Sequence, residues 1–288
     1  MATYTMSPFF KFKRNLTNRL VLTLATVISI LGMALPFWIL FTVIERGMGS
    51  FNWALITQIT PPPMAQGGLL NAIVGSFEMV GLAMLIAAPI GIFTGVYLAE
   101  YGREGKFASL VRFVNDILLS APSIVIGLFV YIIMVIPMHH FSGYAGVVAL
   151  AIIAVPVMVR TTENMLLLVP DVMREGSLAL GSSKRQAIVK ICLPAAKNGI
   201  ITGILLAMAR ISGETAPLLF TALNSPNYSM DLNQPIANLP NTIFQFAMSA
   251  DDGWISLAWA GAALISLYVV VINLVARLVF ARNTMGKK

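Results

Sequence analysis

Arg210 and Glu214 stand four residues apart in ARISGETAPLLF, residues 209–220, within a run from Asn198 to Leu223 that holds no other charge. If that run is one helix, a spacing of four puts both charges on one face. Arginine offers five N–H donors and stays protonated at any working pH, which suits an oxyanion. A carboxylate beside it can accept a proton from an anion that still carries one, and it partly neutralises the cation, so that a bound ion is released again. The competing reading is an internal salt bridge that pins two helices. Proline at 217 removes a backbone donor one turn beyond Glu214 and predicts a bend there.

The elements that must position these charges follow from composition. The chain of 288 residues is 58% hydrophobic and 11% charged, with a mean hydropathy of +0.83, and a soluble domain carries about 25% charged residues. It is a membrane protein. A helix needs about 20 apolar residues to cross the hydrocarbon core. Six runs meet this requirement: Leu20–Ile44, Met79–Ala99, Ile117–Pro137, Phe141–Val159, Asn198–Leu223 and Ser256–Ala276. The fold class is therefore all-α with six transmembrane helices, because a β-barrel would alternate in polarity along segments of about 10 residues. The first run is too long for the apolar region of a signal peptide and no small-residue cleavage site ends it, so it is read as a retained helix. Counted from Asn198 at 1.5 Å per residue, Arg210 lies roughly 18 Å along its helix, near the bilayer midplane. Charges at that depth belong on the bundle interior or a watery cavity.

Basic residues set the orientation. Lys11, Lys13, Arg14 and Arg19 precede the first run, and Arg103, Lys106 and Arg112 separate the second and third. Arg160, Arg174, Lys184, Arg185, Lys190 and Lys197 separate the fourth and fifth, and Arg277, Arg282, Lys287 and Lys288 follow the last. The intervening loops are nearly free of them, so both termini are expected in the cytoplasm. The net charge of +7 then points to the anionic inner leaflet, with membrane lipids and no nucleic acid as neighbours. Three regions are expected. Residues 1–66 form a basic tail, the first helix and a Pro-rich outer loop; residues 67–276 form a five-helix body; residues 277–288 form a basic tail. The outer segment 224–254 is too apolar for a solvated loop and is expected to dip back into the protein or form an interfacial helix.

Smaller features read more simply. Arg160, at the inner end of the fourth helix, serves topology or guides an anion outward from the pathway. Glu78 reads as a solvated carboxylate at the start of the second helix, and Asn115 and Asp116 read as a cap before the third. His139 and His140 have no third ligand at metal spacing, so no metal site is expected. Cys192, the one cysteine, reads as apolar filler and excludes a disulfide. No acid and base pair at catalytic spacing lies in the spans, so no catalytic residue is assigned.

The segment between the fourth and fifth spans is the most structured part outside the membrane. In VPDVMREGSLALG, Pro170 opens a helix, Asp171 and Glu175 suit its positive end, and Gly181 suits a left-handed terminus. Ser183 and Gln186 then form a capping box for a second helix, with Pro194 as its stop. This string, EGSLALGSSKRQAIVKICLP, resembles the cytoplasmic docking loop of type I ABC importer permeases, whose pattern is Glu-Ala-Ala, a later glycine, then Ile-x-Leu-Pro. Glu175, Gly181, Ile191, Leu193 and Pro194 match, and Gly176 and Ser177 replace the usual alanines. RTTENMLLLVPDVMREG, LLAMARISGETAPLLFTAL and QPIANLPNTIFQFAMS extend the likeness to permeases of phosphate importers over residues 67–282.

The resemblance implies a fold and a division of labour. The loop at 170–194 would dock on a separate ATPase dimer, which uses the ATP, because the chain has no GxxxxGK[ST] phosphate loop of its own. This chain would bind no cofactor. Its other partners would be a homologous second permease and a periplasmic phosphate-binding protein. Arg210, Glu214 and Arg160 would line the substrate path. Phosphate near neutral pH still carries a proton for Glu214 to accept, and sulfate does not. The alternatives are a permease for another oxyanion such as phosphonate or sulfate, a secondary anion transporter or channel, and an intramembrane enzyme.

Overall fold

A computed structural model describes residues 8–285; Lys287 and Lys288 of the expected basic tail lie outside these residues. It is helical throughout, without strands among the described residues. Two compact units divide the chain, Met1–Arg46 and Gly47–Lys288. The first consists of most of α1, Pro8–Met48, whose Leu20, Leu24, Ile28 and Trp38 side chains are all exposed. A helix apolar on every side is one that lipid or another protein covers.

The second unit begins with a short turn, α2 (Ala54–Thr57), and α3 (Leu70–Val96), which continues as a π-helical turn at Tyr97–Tyr101. α4 (Lys106–Ser120) follows, and then α5 (Ser123–Val130), which passes through a π turn into α6 (Ile136–Met138). The long helix α7 is Gly143–Leu167. α8 (Asp171–Ala179) and α9 (Lys184–Ala187) lead through a π turn at Ile188–Cys192 into α10 (Leu193–Ser212). Past α10 come α11 (Ala216–Leu219), α12 (Leu239–Ala247) and α13 (Asp252–Met285).

Among the described residues, five helices are long and apolar enough to cross a membrane, and a sixth span arises if the bent pair Lys106–Ser120 and Ser123–Met138 counts as one. That pair corrects the third expected run. Ile117–Pro137 is not a continuous helix: it turns through 103° at Ala121–Pro122. Proline disfavours the helical conformation in the residue before it, and Ala121 here has ψ 133. Asn115 and Asp116 therefore lie inside α4 and cap nothing. α3 also starts earlier than expected, which leaves Glu78 two turns inside the helix, with its Oε2 buried and without a hydrogen-bond partner.

Glycine brings the central helices together. Gly91 and Gly95 of α3 face Met158 and Thr162 of α7, so the two run parallel, and Gly199 and Gly203 of α10 face Met165 and Thr161, so α10 runs antiparallel to both. A Cβ at any of these four positions would collide with the facing residue. Small residues allow the close backbone approach on which helix association in lipid depends. Around this contact lies a core of Met79, Ala83, Leu150, Met158, Ala207 and Ile211.

At the end of the bundle that holds the N-termini of α3 and α7, asparagines replace apolar filler. The buried Asn71 accepts from the Thr60 N–H and donates to the carbonyls of Ser225 and Pro226. Asn238 caps α12 by accepting from the Asn241 N–H, and both Asn238 and Asn241 donate to the Leu223 carbonyl. The Leu223 backbone is left-handed, φ 57, and these bonds hold it so. α12 packs against α3 and α13, so the segment 224–254 folds back onto the protein. Trp254 closes this end, stacked on Phe246 and donating to the Pro61 carbonyl.

Candidate functional site

Two constellations emerge, a broken helix deep in the bundle and an ion-paired loop at its basic end. The break is at Gly213–Thr215. α10 stops at Ser212 and α11 starts at Ala216, so Arg210 lies in the last turn of a helix and Glu214 in non-helical chain beyond it. This corrects the sequence reading, in which Asn198–Leu223 was one helix carrying both charges on a shared face. The bend expected at Pro217 comes earlier for a physical reason. The helix ends at Ser212, with Gly213 at its C-terminus, and Pro217 falls in the first turn of α11, where a missing N–H breaks no bond.

Depth follows from helix register. Gly199 faces Met165 and Gly203 faces Thr161; seven residues further along α10, Arg210 comes level with Ala154, close to the midpoint of the 25-residue α7. Arg210 is therefore level with the middle of the neighbouring helix α7. Arg210 is exposed and Glu214 partly so, and neither takes part in an ion pair among the described residues. The internal salt bridge does not form. Non-helical backbone at such depth occurs where it is buried in protein or lines a watery cavity, and the positive side chain at the C-terminus of α10 sits favourably on the helix dipole.

Arg160 lies seven residues before the end of α7, because that helix continues to Leu167. It is not at the helix end that the sequence predicted. It donates to Asp116 of α4 at 2.7 Å, and both side chains are about half exposed.

At the basic end the loop keeps its local chemistry. Gly181 is left-handed at φ +83, after α8. The Ser183 hydroxyl accepts from the Gln186 N–H while the Gln186 side chain accepts from the Ser183 N–H. Pro194 departs from expectation: it stops nothing. Leu193 donates to the Ile188 carbonyl five residues back, and the wider π turn makes room for the proline ring, which then falls in the first turn of α10. Lys184–Ser212 is consequently one rod of 29 residues that runs from the loop to Arg210. Glu175 is exposed, as are Val172 and Leu180 at 77% and 90%. Glu175 borders a cavity of about 380 Å³ with Glu100, Arg103, Asp171, Arg174 and Lys184. Ile191 and Leu193 are half-buried beside Cys192, which is fully buried.

Sequence reasoning missed the charges behind this loop. Arg174 donates to both oxygens of Glu100, with Nη2 at 2.7 Å from Oε1, and Arg112 donates to Glu163 at 2.7 Å. The hydrogen bonds to Glu100 raise the Arg174 guanidinium above its ordinary value. Hydrogen bonds and charge from Arg103 hold the exposed Asp171 below the usual carboxylate range. The available signal was a lone carboxylate at the edge of each apolar run, Glu100 after Ala99 and Glu163 after Val159. Counting Lys and Arg for topology treats every arginine as solvated, so it could not find their partners.

Comparison with known proteins gives this geometry a family. Residues 87–284 match the family described as binding-protein-dependent transport system inner membrane component. The chain is 56% identical over 267 residues to the phosphate transport system permease protein PstA of Haemophilus influenzae, covering 93% of this chain and 95% of that one. It is 54% identical over 271 residues to the protein of the same name from Yersinia pestis, covering 94% and 92%. Among solved structures, it resembles a chain of the MetNI methionine ABC transporter in an inward-facing conformation, with TM-score 0.58 and 20% identity, covering 73% of this chain and 95% of that chain. It also resembles a chain of a bacterial alginate ABC transporter crystallised with an alginate-bound periplasmic protein, with TM-score 0.55 and 13% identity, covering 97% of each. The shared fold, the docking-loop pattern and the close relatives agree: the chain belongs to the inner membrane components of binding-protein-dependent transport systems and, within them, to the phosphate transport system permease proteins.

Proposed function

We propose that this chain is the permease subunit of an ATP-driven phosphate importer and that Arg210 contacts the anion in transit. The observation that carries the site assignment is the rod Lys184–Ser212, which has the docking loop at one end and an unpaired arginine near mid-depth at the other. A separate ATPase dimer docks on 170–194 through Glu175, the Gly181 turn and the exposed apolar residues beside them. Its closure moves the rod through the segment around Ile191, Leu193 and Pro194, and so moves Arg210. A homologous second permease supplies the other half of the passage, and a periplasmic phosphate-binding protein delivers the ion. The basic end faces the cytoplasm, with both termini there.

In this reading Arg210 supplies charge and donors at the depth where phosphate has lost most of its water. Glu214, on the non-helical side of the break, limits how tightly the anion is held and accepts a hydrogen bond from its remaining hydroxyl. Arg160, held by Asp116, is a further cation six residues of α7 nearer the basic end, placed to draw the anion onward. The chain does no chemistry and binds no cofactor; ATP is consumed by the partner.

The test is uptake of labelled phosphate by vesicles containing the whole importer. Replacing Arg210 with Gln abolishes uptake while the ATPase still copurifies, because Arg210 holds no structural ion pair. Uptake near the parent level would sink the assignment. Competition by sulfate and phosphonate in the same vesicles separates a phosphate passage from a general oxyanion one.

A further inference from the structure

We infer that Arg174 and Glu100 form a latch that carries movement of the docking loop into α3 and stiffens its joint with α7, alongside the covalent path into α10. The inference rests on the importer reading above and adds a second route of transmission.

One guanidinium ties three elements together. Its Nε donates to both oxygens of Glu100 at 3.1 Å, and its Nη2 donates to Glu100 Oε1 and to the Leu166 carbonyl, both at 2.7 Å. Its Nη1 donates to the Val169 carbonyl at 2.5 Å and to Asp171 at 3.1 Å. Glu100 belongs to the π turn that ends α3. Leu166 and Val169 lie in the last turn of α7 and just beyond it, where carbonyls lack the N–H that a continuing helix would supply; the Leu166 carbonyl also accepts from the Val169 N–H. Arg174 itself is in α8, the first docking helix. Its side chain is 12% exposed and that of Glu100 5%, so the pair is shielded from solvent and weakened little by salt.

The arrangement matters because α3 has no covalent link to the docking loop; the chain leaves α3 toward α4. α7 is joined to α8 only through Leu168–Pro170. The other ion pair between the loop and the end of α3, Arg103–Asp171, is 44% and 61% exposed, and such surface pairs contribute little. The Lys184 ammonium over the Tyr101 ring, 4.6 Å from its centroid, is a weaker second contact on the same side. α3 and α7 meet through Gly91 and Gly95 with no slack, so force applied at Glu100 is shared by both. A lysine at 174 keeps the charge but loses the fork that serves Glu100 and two carbonyls together.

Three variants of the complete importer in vesicles test this: Glu100→Gln, Arg174→Lys, and the double variant Glu100→Gln/Arg174→Met. The double variant leaves no buried charge alone, so it folds even if a single one does not. With the latch broken, the ATPase copurifies at the parent ratio and hydrolyses ATP near the parent rate. The phosphate carried per ATP falls about fivefold or more, the lower end of couplings between distant sites. An unchanged ratio of phosphate to ATP overturns the latch, as does a joint fall of uptake and hydrolysis at constant ratio. Recovery of the parent ratio in the double variant also overturns it, because the residues would then only neutralise each other. A parent importer in which no ATPase binds the 170–194 loop defeats the importer reading instead, and that result is visible before any variant is made.

Discussion

Arg210 lies level with the middle of α7 with no carboxylate paired to it among the described residues, and its neighbour in sequence, Glu214, has left the helix. The Arg210→Gln prediction depends on this: the substitution removes a donor set and a charge without orphaning a buried partner. Arg174 is the opposite case, a saturated guanidinium whose loss would strand Glu100. At the Asn-rich end, Asp251 accepts from the Trp254 N–H at 2.9 Å and the Met64 N–H at 2.6 Å. These bonds, that from Trp254 foremost, hold its carboxyl below the ordinary value. A carboxyl lowered on folding stabilises fully above its unfolded value, about 3.9, and that contribution is lost as pH falls through the lower folded value. Fluorescence of Trp254, in a chain whose other tryptophans are phenylalanine, is therefore expected to be flat from pH 8 to 5 and to change only below about pH 4. Asp251→Asn removes that transition; a change centred near neutrality would contradict the assignment.

The docking loop is legible locally because its devices are local. A left-handed glycine and a reciprocal Ser–Gln cap need only neighbours within four residues, and Gly181, Ser183 and Gln186 adopt them as the sequence predicts. Space around Gly181 is open, so Ala fits there sterically but is strained at φ +83 by about 1 kcal/mol. Gly181→Ala is expected to weaken ATPase copurification, and Gly181→Asn, which tolerates the left-handed region, to restore most of it; equal binding by all three would show that the turn does not matter. The breaks between elements were less legible. Pro194 reads as a stop in any window of sequence, yet the helix passes through it by way of the π turn at Ile188–Cys192. Ala121–Pro122 reads as part of an apolar run, yet the chain bends there through 103°.

The whole molecule carries one further prediction, its orientation. With Cys192 replaced by serine, a single cysteine at Gly105 is expected to react with an impermeant maleimide only after cells are opened, and one at Asn233 to react in intact cells. The reverse pattern would invert the importer. The all-α class, most of the apolar spans and the loop pattern were present in the residue order, because hydropathy, helix rise and capping act over a few turns and report directly in composition and spacing. The partners of the charges were not. That Arg210 stands unpaired, that Arg174 reaches Glu100 from 74 residues away, and that Arg112 meets Glu163 depend on how glycine notches set α3, α7 and α10 side by side. Contacts between distant residues follow from that packing, and no local rule of the chain encodes it.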